Sequence, residues 1–296
     1  MNTKDLAYFC QLVDQKNYTA TAKYFGVSQP TITMAIKRLE KEYGGISLIT
    51  QPYPRASLTV TRAGQVLYEQ AQDVLGQLQT TRTEVVHAAE DSIRLGLSPV
   101  TGVTWFPKVA NKLLKTNLLA DLVVHEAGSQ QLLSELTSGQ IDVALLATVS
   151  PLKSQDLNAM LLAIHPFKII VSAHHRLAQQ EAVAFSDLRD DPFVTMTNHY
   201  IHAQALEAYS SAGQFRPNVV YRTSDLSMVK ALVRQNVGVS LLVETAVNQG
   251  DAGITALALT DVPPTLSYMY LVTRHSFHPT KRQAFFIQLF RDQAQS

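Results

Sequence analysis

The sequence predicts a two-part α+β chain, in which helices dominate the first ninety residues and a mixed α/β part follows. Three observations support this fold class. A chain of 296 residues exceeds what one hydrophobic core usually organises. Apolar residues recur at helical spacing up to about residue 90. Beyond residue 92, short apolar strands alternate with helical segments.

The composition excludes several classes of protein. Apolar residues make up 46% of the chain and charged residues 17%, and no run approaches the roughly 18 consecutive apolar residues of a membrane helix. The first residues lack the basic-then-apolar order of a secretory signal, so we expect a cytoplasmic protein. Cys10 is the single cysteine, which leaves no intramolecular disulfide and no thiolate-rich metal site. No glycine-rich nucleotide-binding motif occurs, so no cofactor is expected.

The net charge of +1 conceals a gradient along the chain. Residues 1–62 carry eight Lys and Arg against four Asp and Glu, whereas residues 63–91 carry one against five. A cationic end of this kind is a hint of nucleic-acid binding, although solvated surfaces of ordinary proteins produce it as well.

The first two helices are predicted to meet at a tight turn. A helix from about residue 3 to residue 16 is indicated by an apolar stripe at i, i+3, i+4 and i+7, made by Leu6, Phe9, Cys10 and Val13. Thr19 is the expected N-cap of a second, short helix. Gly26 supplies the positive φ at which that helix can end.

A third helix is predicted from about residue 28 to residue 43, beginning at Ser28 or Gln29 with Pro30 in its first turn. One face is apolar and carries Ile32, Ile36, Leu39 and Tyr43. The other face carries polar and cationic side chains, namely Gln29, Thr33 and Lys37, flanked by Pro30, Thr31, Met34 and Arg38. Amides and hydroxyls near the helix start suit base edges in the major groove, and cations suit phosphate. The alternative is a surface helix with solvated lysines.

Two short strands and a long helix should follow. Leu48, Ile49, Leu58 and Val60 predict a hairpin, or wing, around a turn at residues 51–55. Arg55 at its tip and Arg62 beyond it would lie near phosphate. The long helix starts near Thr61 and carries an apolar seam of Val66, Leu67, Ala71, Val74, Leu75 and Leu78, then Val85 and Val86. Such a seam must pack on a partner or on its own wing domain, and we expect self-association as a homodimer or homotetramer.

Residues 1–62 resemble the winged helix-turn-helix of LysR-type transcriptional regulators. The matching residues, in order and spacing, are Tyr8-Phe9, Tyr18-Thr19, Ala22, Val27-Ser28-Gln29-Pro30, Ile36 and Arg38-Leu39-Glu40. The sequence departs from the family pattern at Thr21, where alanine is usual, and at Gln51, where arginine is usual and Arg55 is the expected substitute. The resemblance implies binding to double-stranded promoter DNA through Thr19, Ser28, Gln29, Pro30, Thr31, Thr33, Lys37, Arg38, Arg55 and Arg62.

The remaining chain alternates strands and helices. A strand at residues 92–98 leads to a helix that is expected to start near Thr101-Gly102. Residues 118–146 repeat the scheme, with Gly128-Ser129 as loop and N-cap and Gly139 as the stop. Further strands are predicted at residues 167–175, 192–196, 217–224 and 237–243.

Polar residues follow these strands, where helix N-termini present unpaired N–H groups to an anion. They are Ser98, Thr101, Ser129, Thr148, Thr197, Asn198, His199 and Ser224. For each one alone, an ordinary N-cap is the alternative.

This half resembles the LysR-type effector domain, which has two α/β lobes like those of periplasmic binding proteins. The similarity rests on residues 92–98, Glu126-x-Gly128, Gly139-x-x-Asp142, Asp187-Leu188 and Gly238-Val239-Ser240; it departs at His175-Arg176, where His-Pro is usual. It implies a small-molecule effector between the lobes, near residues 98–101, Gly128-Ser129, Thr148 and Thr197-Asn198. The chain would cross between lobes around residues 147–165 and 261–267.

The two resemblances together imply a domain organisation and a mechanism. The expected domains are a DNA-binding domain at 1–62, a linker helix at 63–91 and an effector domain at 92–296, with lobe I at 92–163 and 267–296 and lobe II at 164–266. Effector binding is expected to change lobe closure, subunit assembly and DNA bending. Helix N-termini and hydroxyls favour an organic acid. A loose similarity to malolactic-fermentation regulators suggests L-malate. RNA polymerase is an expected partner if the protein is an activator.

Enzymatic alternatives have little support in the sequence. His199-x-x-His202 lacks a third metal ligand, so we interpret these histidines, and His174-His175, as loop residues. The stretch GLSPVTG lacks the second glycine of a Gly-x-Ser-x-Gly elbow. We expect no enzyme. The alternative is an enzyme or metabolite carrier that uses the N-terminal helices only to oligomerise.

Overall fold

The computed structural model describes residues 2–50, 58–87, 92–247 and 250–295. It divides into two compact units, Met1–His87 and Ala88–Ser296. Within the described residues, no helix combines the length and the hydropathy that crossing a membrane requires.

The N-terminal unit is a three-helix bundle with a hairpin and a long helix, as predicted. Its elements are α1 (Thr3–Gln15), α2 (Tyr18–Phe25), α3 (Gln29–Glu42), β1 (Ile49–Thr50), β2 (Thr59–Val60) and α4 (Arg62–His87). The strands β1 and β2 pair antiparallel. The turn between them, with Arg55, lies outside the described residues.

The caps of the short helices differ in one respect from the prediction. The N-cap of α2 is Asn17, whose side-chain oxygen accepts from the backbone N–H of Ala20 at 2.9 Å. The prediction of Thr19 was wrong because the carboxamide of Asn17 satisfies that donor and starts the helix earlier, which places Thr19 in the first turn. Gly26 ends α2 at φ 66°, and Ser28 caps α3, as predicted.

The bundle core forms where the apolar stripes meet. Its fully buried side chains include Leu6, Phe9, Leu12, Ile32, Ile36, Leu39 and Leu48. Tyr43 is 38% exposed, contrary to its place on the predicted apolar face, because α3 ends at Glu42 and Tyr43 turns away as the C-cap. Part of the predicted apolar seam of α4 packs on this core, through Leu67, Ala71 and Leu75.

The second unit contains the predicted alternation and several additional strands. Its elements are β3 (Ile93–Leu97), α5 (Pro99–Lys115), β4 (Leu122–Glu126), α6 (Ser129–Thr137), β5 (Val143–Thr148), β6 (Leu157–His165), β7 (Phe167–Ser172), β8 (Ala182–Val183), β9 (Pro192–Met196), α7 (Ile201–Gly213), β10 (Asn218–Thr223), α8 (Leu226–Arg234), β11 (Ser240–Val243), β12 (Ile254–Leu259), β13 (Ser267–Arg274) and α9 (Lys281–Gln295). Helix α5 begins at Pro99, two residues before the predicted Thr101-Gly102 start.

The strands of the second unit fall into two groups, which define two lobes. Lobe I, as we use the term, is the five-stranded sheet β4-β3-β5-β13-β6 with α5, α6 and α9. Lobe II is the four-stranded sheet β11-β7-β12-β8 and the pair β10-β9, with α7 and α8. The chain passes from one group to the other at Pro166, between β6 and β7, and returns through residues 260–266, between β12 and β13.

A buried ion pair ties β3 to the start of β5. Arg94 donates to both carboxylate oxygens of Asp142, at 3.0 and 2.6 Å, and to the carbonyl of Gly139 at 2.9 Å. Arg274 from β13 donates to the carbonyls of Leu136 and Ile141. These contacts explain the Gly139-x-x-Asp142 spacing. Gly139 reverses the chain direction at φ 77°, and Asp142 three residues later then lies within hydrogen-bond distance of Arg94.

Candidate nucleic-acid interface and inter-lobe cavity

The outer face of α3 carries the side chains that the sequence assigned to DNA. Gln29, Pro30 and Lys37 are exposed, and Thr33 is partly exposed. The amide Nε2 of Gln29 donates to Thr33 Oγ1 at 3.3 Å, and Ser28 Oγ lies 2.8 Å from Thr31 Oγ1. These contacts are local and solvent-exposed, and they leave amide and hydroxyl groups at the surface, where a base edge can exchange with them.

Arg38 has a structural contact that the sequence did not predict. Its Nε and Nη2 donate to the two carboxylate oxygens of Asp5 at 2.8 and 2.6 Å. Asp5 is buried on α1, and this hydrogen bond is the main cause that raises the pKa of Arg38. The pair fixes α3 against α1, so Arg38 sets the orientation of the exposed face.

The hairpin is held to both neighbouring helices. Glu40 on α3 accepts from the backbone N–H of Leu48 at 2.9 Å. Thr61 donates to the carbonyl of Ser47 at 2.8 Å and accepts from the N–H of Gly64 at 3.0 Å, which caps α4. A Cβ on Gly64 would lie 2.1 Å from the carbonyl oxygen of Leu48, so only glycine permits this approach. Arg62 is exposed one residue after the cap.

A small cavity of about 10 Å³ lies between the two lobes. Lobe I contributes Ser98, Pro99, Val100, Thr101, Ser129, Ala147 and Met269, and lobe II contributes Met196, Tyr200, Ile201 and His202. None of these lining residues is Asp, Glu, Lys or Arg. A space of this size holds about one water molecule.

Three helices begin at this cavity. They are α5, α6 and α7, and within the described residues none has a hydrogen bond from its N-cap side chain. By contrast, side chains cap α1, α2, α3 and α8. The first-turn N–H groups and the positive ends of three helix dipoles therefore converge on one place, which favours a negative charge there.

The hydroxyls at the cavity are bonded to lobe I itself. Ser98 Oγ donates to Thr101 Oγ1 at 2.9 Å, and Ser129 Oγ accepts from the N–H of Ala147 at 3.2 Å. The N-cap alternative for these serines does not hold for their side chains, because neither hydroxyl caps its helix. The structure thus brings together three of the predicted effector residues, Ser98, Thr101 and Ser129.

The other predicted effector residues lie around this cavity or away from it. A Cβ on Gly128 would lie 2.4 Å from the carbonyl oxygen of His199, so the two lobes touch there through backbone. Thr148 donates to the carbonyl of Ser150 at 2.5 Å, and Asn198 and Ser224 are exposed. The cavity lining does not include these residues or Thr197; it is formed by the first turns of α5, α6 and α7 together with Ala147, Met196 and Met269 from strands.

His202 is the residue that sequence reasoning missed. It was interpreted as a loop histidine, which was wrong: it lies in the first turn of α7 and is 2% exposed. Its ring meets Phe167 edge-on at 6.2 Å between centroids. Within the described part of the chain neither ring nitrogen has a hydrogen-bond partner, and burial lowers its pKa to about 4. The available signal was its spacing of i, i+3 and i+7 with Ala205 and Tyr209.

Two family models cover almost the whole chain. The model "Bacterial regulatory helix-turn-helix protein, lysR family" matches residues 3–65, and "LysR substrate binding domain" matches residues 87–295. The chain belongs to the LysR family. It is a DNA-binding transcriptional regulator with an effector-binding domain, as its sequence predicted.

Individual relatives and a solved structure are similar to this chain over most of its length. The chain is 31% identical over 249 residues to the "Malolactic fermentation system transcriptional activator" of Lactococcus lactis subsp. lactis (strain IL1403), covering 84% of each chain. It is 30% identical to the "Hydrogen peroxide-inducible genes activator" of Dickeya chrysanthemi, covering 84% of this chain and 81% of that one. The solved "Effector binding domain of QuiR in complex with shikimate" has a TM-score of 0.57 at 15% identity, covering 69% of this chain and 94% of that one.

Proposed function

We propose that this LysR-family regulator binds promoter DNA with α3 and the hairpin, and responds to a small organic acid held between lobes I and II. The observation that carries the effector proposal is the convergence of three helix N-termini without side-chain caps on one cavity.

On the DNA, Gln29 and Thr33 would contact base edges, and Lys37 and Arg62 would contact phosphates. Arg38 acts mainly through Asp5, by holding α3 at its angle. The remaining residues of the proposed DNA surface are Thr19, Ser28, Pro30, Thr31 and Arg55. The site of action would be the cytoplasm, and an activator of this kind would also contact RNA polymerase.

For the effector, the chemistry favours a carboxylate. Three helix N-termini stabilise an anion, and the hydroxyls of Ser98, Thr101 and Ser129 can exchange their present partners for carboxylate oxygens. The curated relative is named for malolactic fermentation, and the solved effector domain holds shikimate, a carboxylic acid. L-malate is the first candidate. Because the cavity has room for about one water, the lobes must separate to admit it, and this movement is the signal.

Peroxide is a weaker candidate, although one relative is named for it. A thiolate is the group that reacts with peroxide, and Cys10 is the chain's single cysteine. Cys10 is buried on α1, and burial together with nearby Asp14 raises the pKa of its thiol to about 11. The thiol is therefore protonated at neutral pH and has no second cysteine to pair with.

A thermal-shift panel tests the effector proposal. Full-length protein is heated with L-malate, succinate or shikimate, and with uncharged malamide as the matched control. A ligand that binds only the folded state at 100 times its Kd stabilises that state by about 2.7 kcal/mol, so we expect one acid to raise Tm and malamide to leave it unchanged. If no acid raises Tm, the carboxylate effector is wrong.

Duplex binding separates a regulator from an enzyme or carrier that uses its helices only to oligomerise. Gln29→Ala with Lys37→Ala should abolish sequence-selective binding and reduce its salt dependence. The matched control is Lys153→Ala, which removes an exposed lysine from the other unit. Selective binding that persists in the double variant would remove α3 from the interface.

A further inference from the structure

His202 is buried at the inter-lobe cavity, and packing of the fold does not explain why its two ring nitrogens have no hydrogen-bond partner within the described residues. Buried polar side chains almost always have a hydrogen-bond partner, and those that lack one call for an explanation in function. His202 can offer a donor and an acceptor when neutral and two donors when protonated. Within the described residues it uses neither nitrogen, while its ring lines the cavity where α5, α6 and α7 begin.

The charge balance of the cavity makes this histidine distinctive. Its lining includes no Lys, Arg, Asp or Glu, so His202 is the one lining side chain that can become a full cation. A carboxylate placed there would meet helix dipoles and hydroxyls, and its remaining charge would act on the imidazole. An anion within about 4–6 Å favours the protonated form of a histidine.

We propose that His202 takes up a proton from solvent as the effector's carboxylate enters, and that the imidazolium then pairs with it, so that effector binding tightens as pH falls. This inference rests on the proposed function, because it needs a carboxylate in the cavity. Before binding, burial holds the pKa of His202 at about 4, so the proton arrives with the anion. Binding and protonation are then linked, and each favours the other.

The surroundings of His202 leave the effector as the group that controls its protonation. Strands β9 and β11, which pack on α7, carry no titratable side chain. On α7's other neighbours, Asp187 accepts from the backbone N–H of Ala184, and Lys168, next to Phe167, pairs with Glu244 at 3.5 Å. Tyr200 also lines the cavity, and burial and Glu126 raise its pKa, so it stays neutral. Tyr209, two turns along α7, likewise has a raised pKa.

Calorimetry measures the proton directly on the wild-type protein. L-malate, succinate and shikimate are titrated into the full chain at pH 6.5 in two buffers of different ionisation enthalpy. We expect an uptake approaching one proton per bound acid. Between pH 7.5 and 6.5, where these carboxylates are predominantly ionised, Kd should fall several-fold, with about tenfold per pH unit as the ceiling for one proton. Binding with no proton uptake and a constant Kd would overturn the role of His202 and leave the carboxylate effector standing.

A variant assigns the proton to this residue. His202→Gln keeps a hydrogen-bonding side chain that cannot titrate; it should bind the acid more weakly, with no uptake and a Kd independent of pH. The matched control, His174→Gln, replaces an exposed histidine of lobe II and should match the wild type. Unchanged uptake in His202→Gln would overturn the proposal. If this variant does not fold, the wild-type measurement decides. No heat in either buffer together with no rise in Tm for any of the three acids would overturn both the carboxylate effector and the role of His202.

Discussion

At the residue scale, His202 connects the cavity to the stability of the fold. A buried imidazole without a hydrogen-bond partner destabilises the folded state at neutral pH, by about 1–3 kcal/mol for such groups. Acid increases that cost, because the folded pKa of about 4 lies below the ordinary value of 6.5. As pH falls from 6.5 towards 4, the unfolded chain binds the proton first and folding weakens.

Urea unfolding at pH 7.5 and 4.5 tests this dependence. The free energy of unfolding of wild type should fall by about 2–3 kcal/mol more than that of His202→Gln over this range, since Gln does not titrate. Other titrating groups affect both proteins equally and cancel in the difference. Equal losses in the two proteins would mean that His202 has an ordinary pKa and is not buried without a partner.

Residue-level prediction succeeded at most sites where chemistry is local, the α2 cap predicted at Thr19 being the exception, and failed where it depends on distant strands. Gly26 and Ser28 were predicted correctly because a positive φ and a cap involve neighbouring residues only. Ser98 and Ser129 were correctly placed near helix starts. That both of these starts meet the start of α7 depends on the packing of two lobes, and the same packing buries His202. The helical spacing of His202 with Ala205 and Tyr209 indicates a buried helix face, but no local pattern in the sequence reports the meeting of the two lobes.

At the element scale, the close approach of α4 to the hairpin positions the candidate DNA surface. Gly64 lets the start of α4 approach the backbone of Leu48, and Thr61 bonds both Ser47, just before β1, and the first turn of α4. Glu40 on α3 bonds the backbone of Leu48 in the same segment before β1. The hairpin is therefore held between the recognition helix and the long helix, and we expect its angle to follow any shift between them.

A pair of glycine variants on α4 tests this contact. Gly64→Ala would place a Cβ 2.1 Å from the Leu48 carbonyl, which should cost about 1–3 kcal/mol and weaken DNA binding. Gly76→Ala on the same helix meets nothing within 4 Å and should stabilise the protein by about 0.5–1 kcal/mol. Urea unfolding and anisotropy with a labelled duplex measure both effects. If Gly64→Ala leaves both stability and DNA binding unchanged, the backbone of Gly64 lies farther from the carbonyl of Leu48 than the structure shows.

Several strands escaped prediction for a physical reason. Strand β6 falls inside the stretch expected to be a lobe crossing, and only one of its nine residues is buried because it forms an edge. Strand β13 lies between β5 and β6 and pairs with partners more than a hundred residues away in the chain. Strands β8 and β12 similarly depend on pairing in lobe II. Strands β3, β5 and β9, which adjoin clear turn signals, were predicted correctly.

At the scale of the whole molecule, α4 offers a surface for self-association. Leu67, Ala71 and Leu75 pack on the helix's own unit, but Val66, Val74, Val85 and Val86 are exposed along it. Exposed apolar side chains repeated along one long helix favour a partner. We propose that a second copy of the chain covers them, which would place two recognition helices on one duplex.

Charge variants on two faces of α4 test this proposal. Val74→Glu places a charge in the apolar row and should raise the dimer dissociation constant at least tenfold, as measured by sedimentation. Gln65→Glu adds the same charge on the side of the helix opposite Val74, about 180° around its axis, and should leave association unchanged. A Val74→Glu protein that associates like the wild type would move the contact elsewhere.

One measurement tests most directly whether acid binding and DNA binding are coupled. The full chain selects a duplex from a random pool, and the footprint, bend and affinity on that duplex are compared with and without saturating L-malate. We expect L-malate to change the footprint, the bend or the affinity through the separation of lobes I and II. We expect no such change when uncharged malamide replaces L-malate. Identical affinity, footprint and bend, with L-malate shown by calorimetry to be bound, would contradict the coupling.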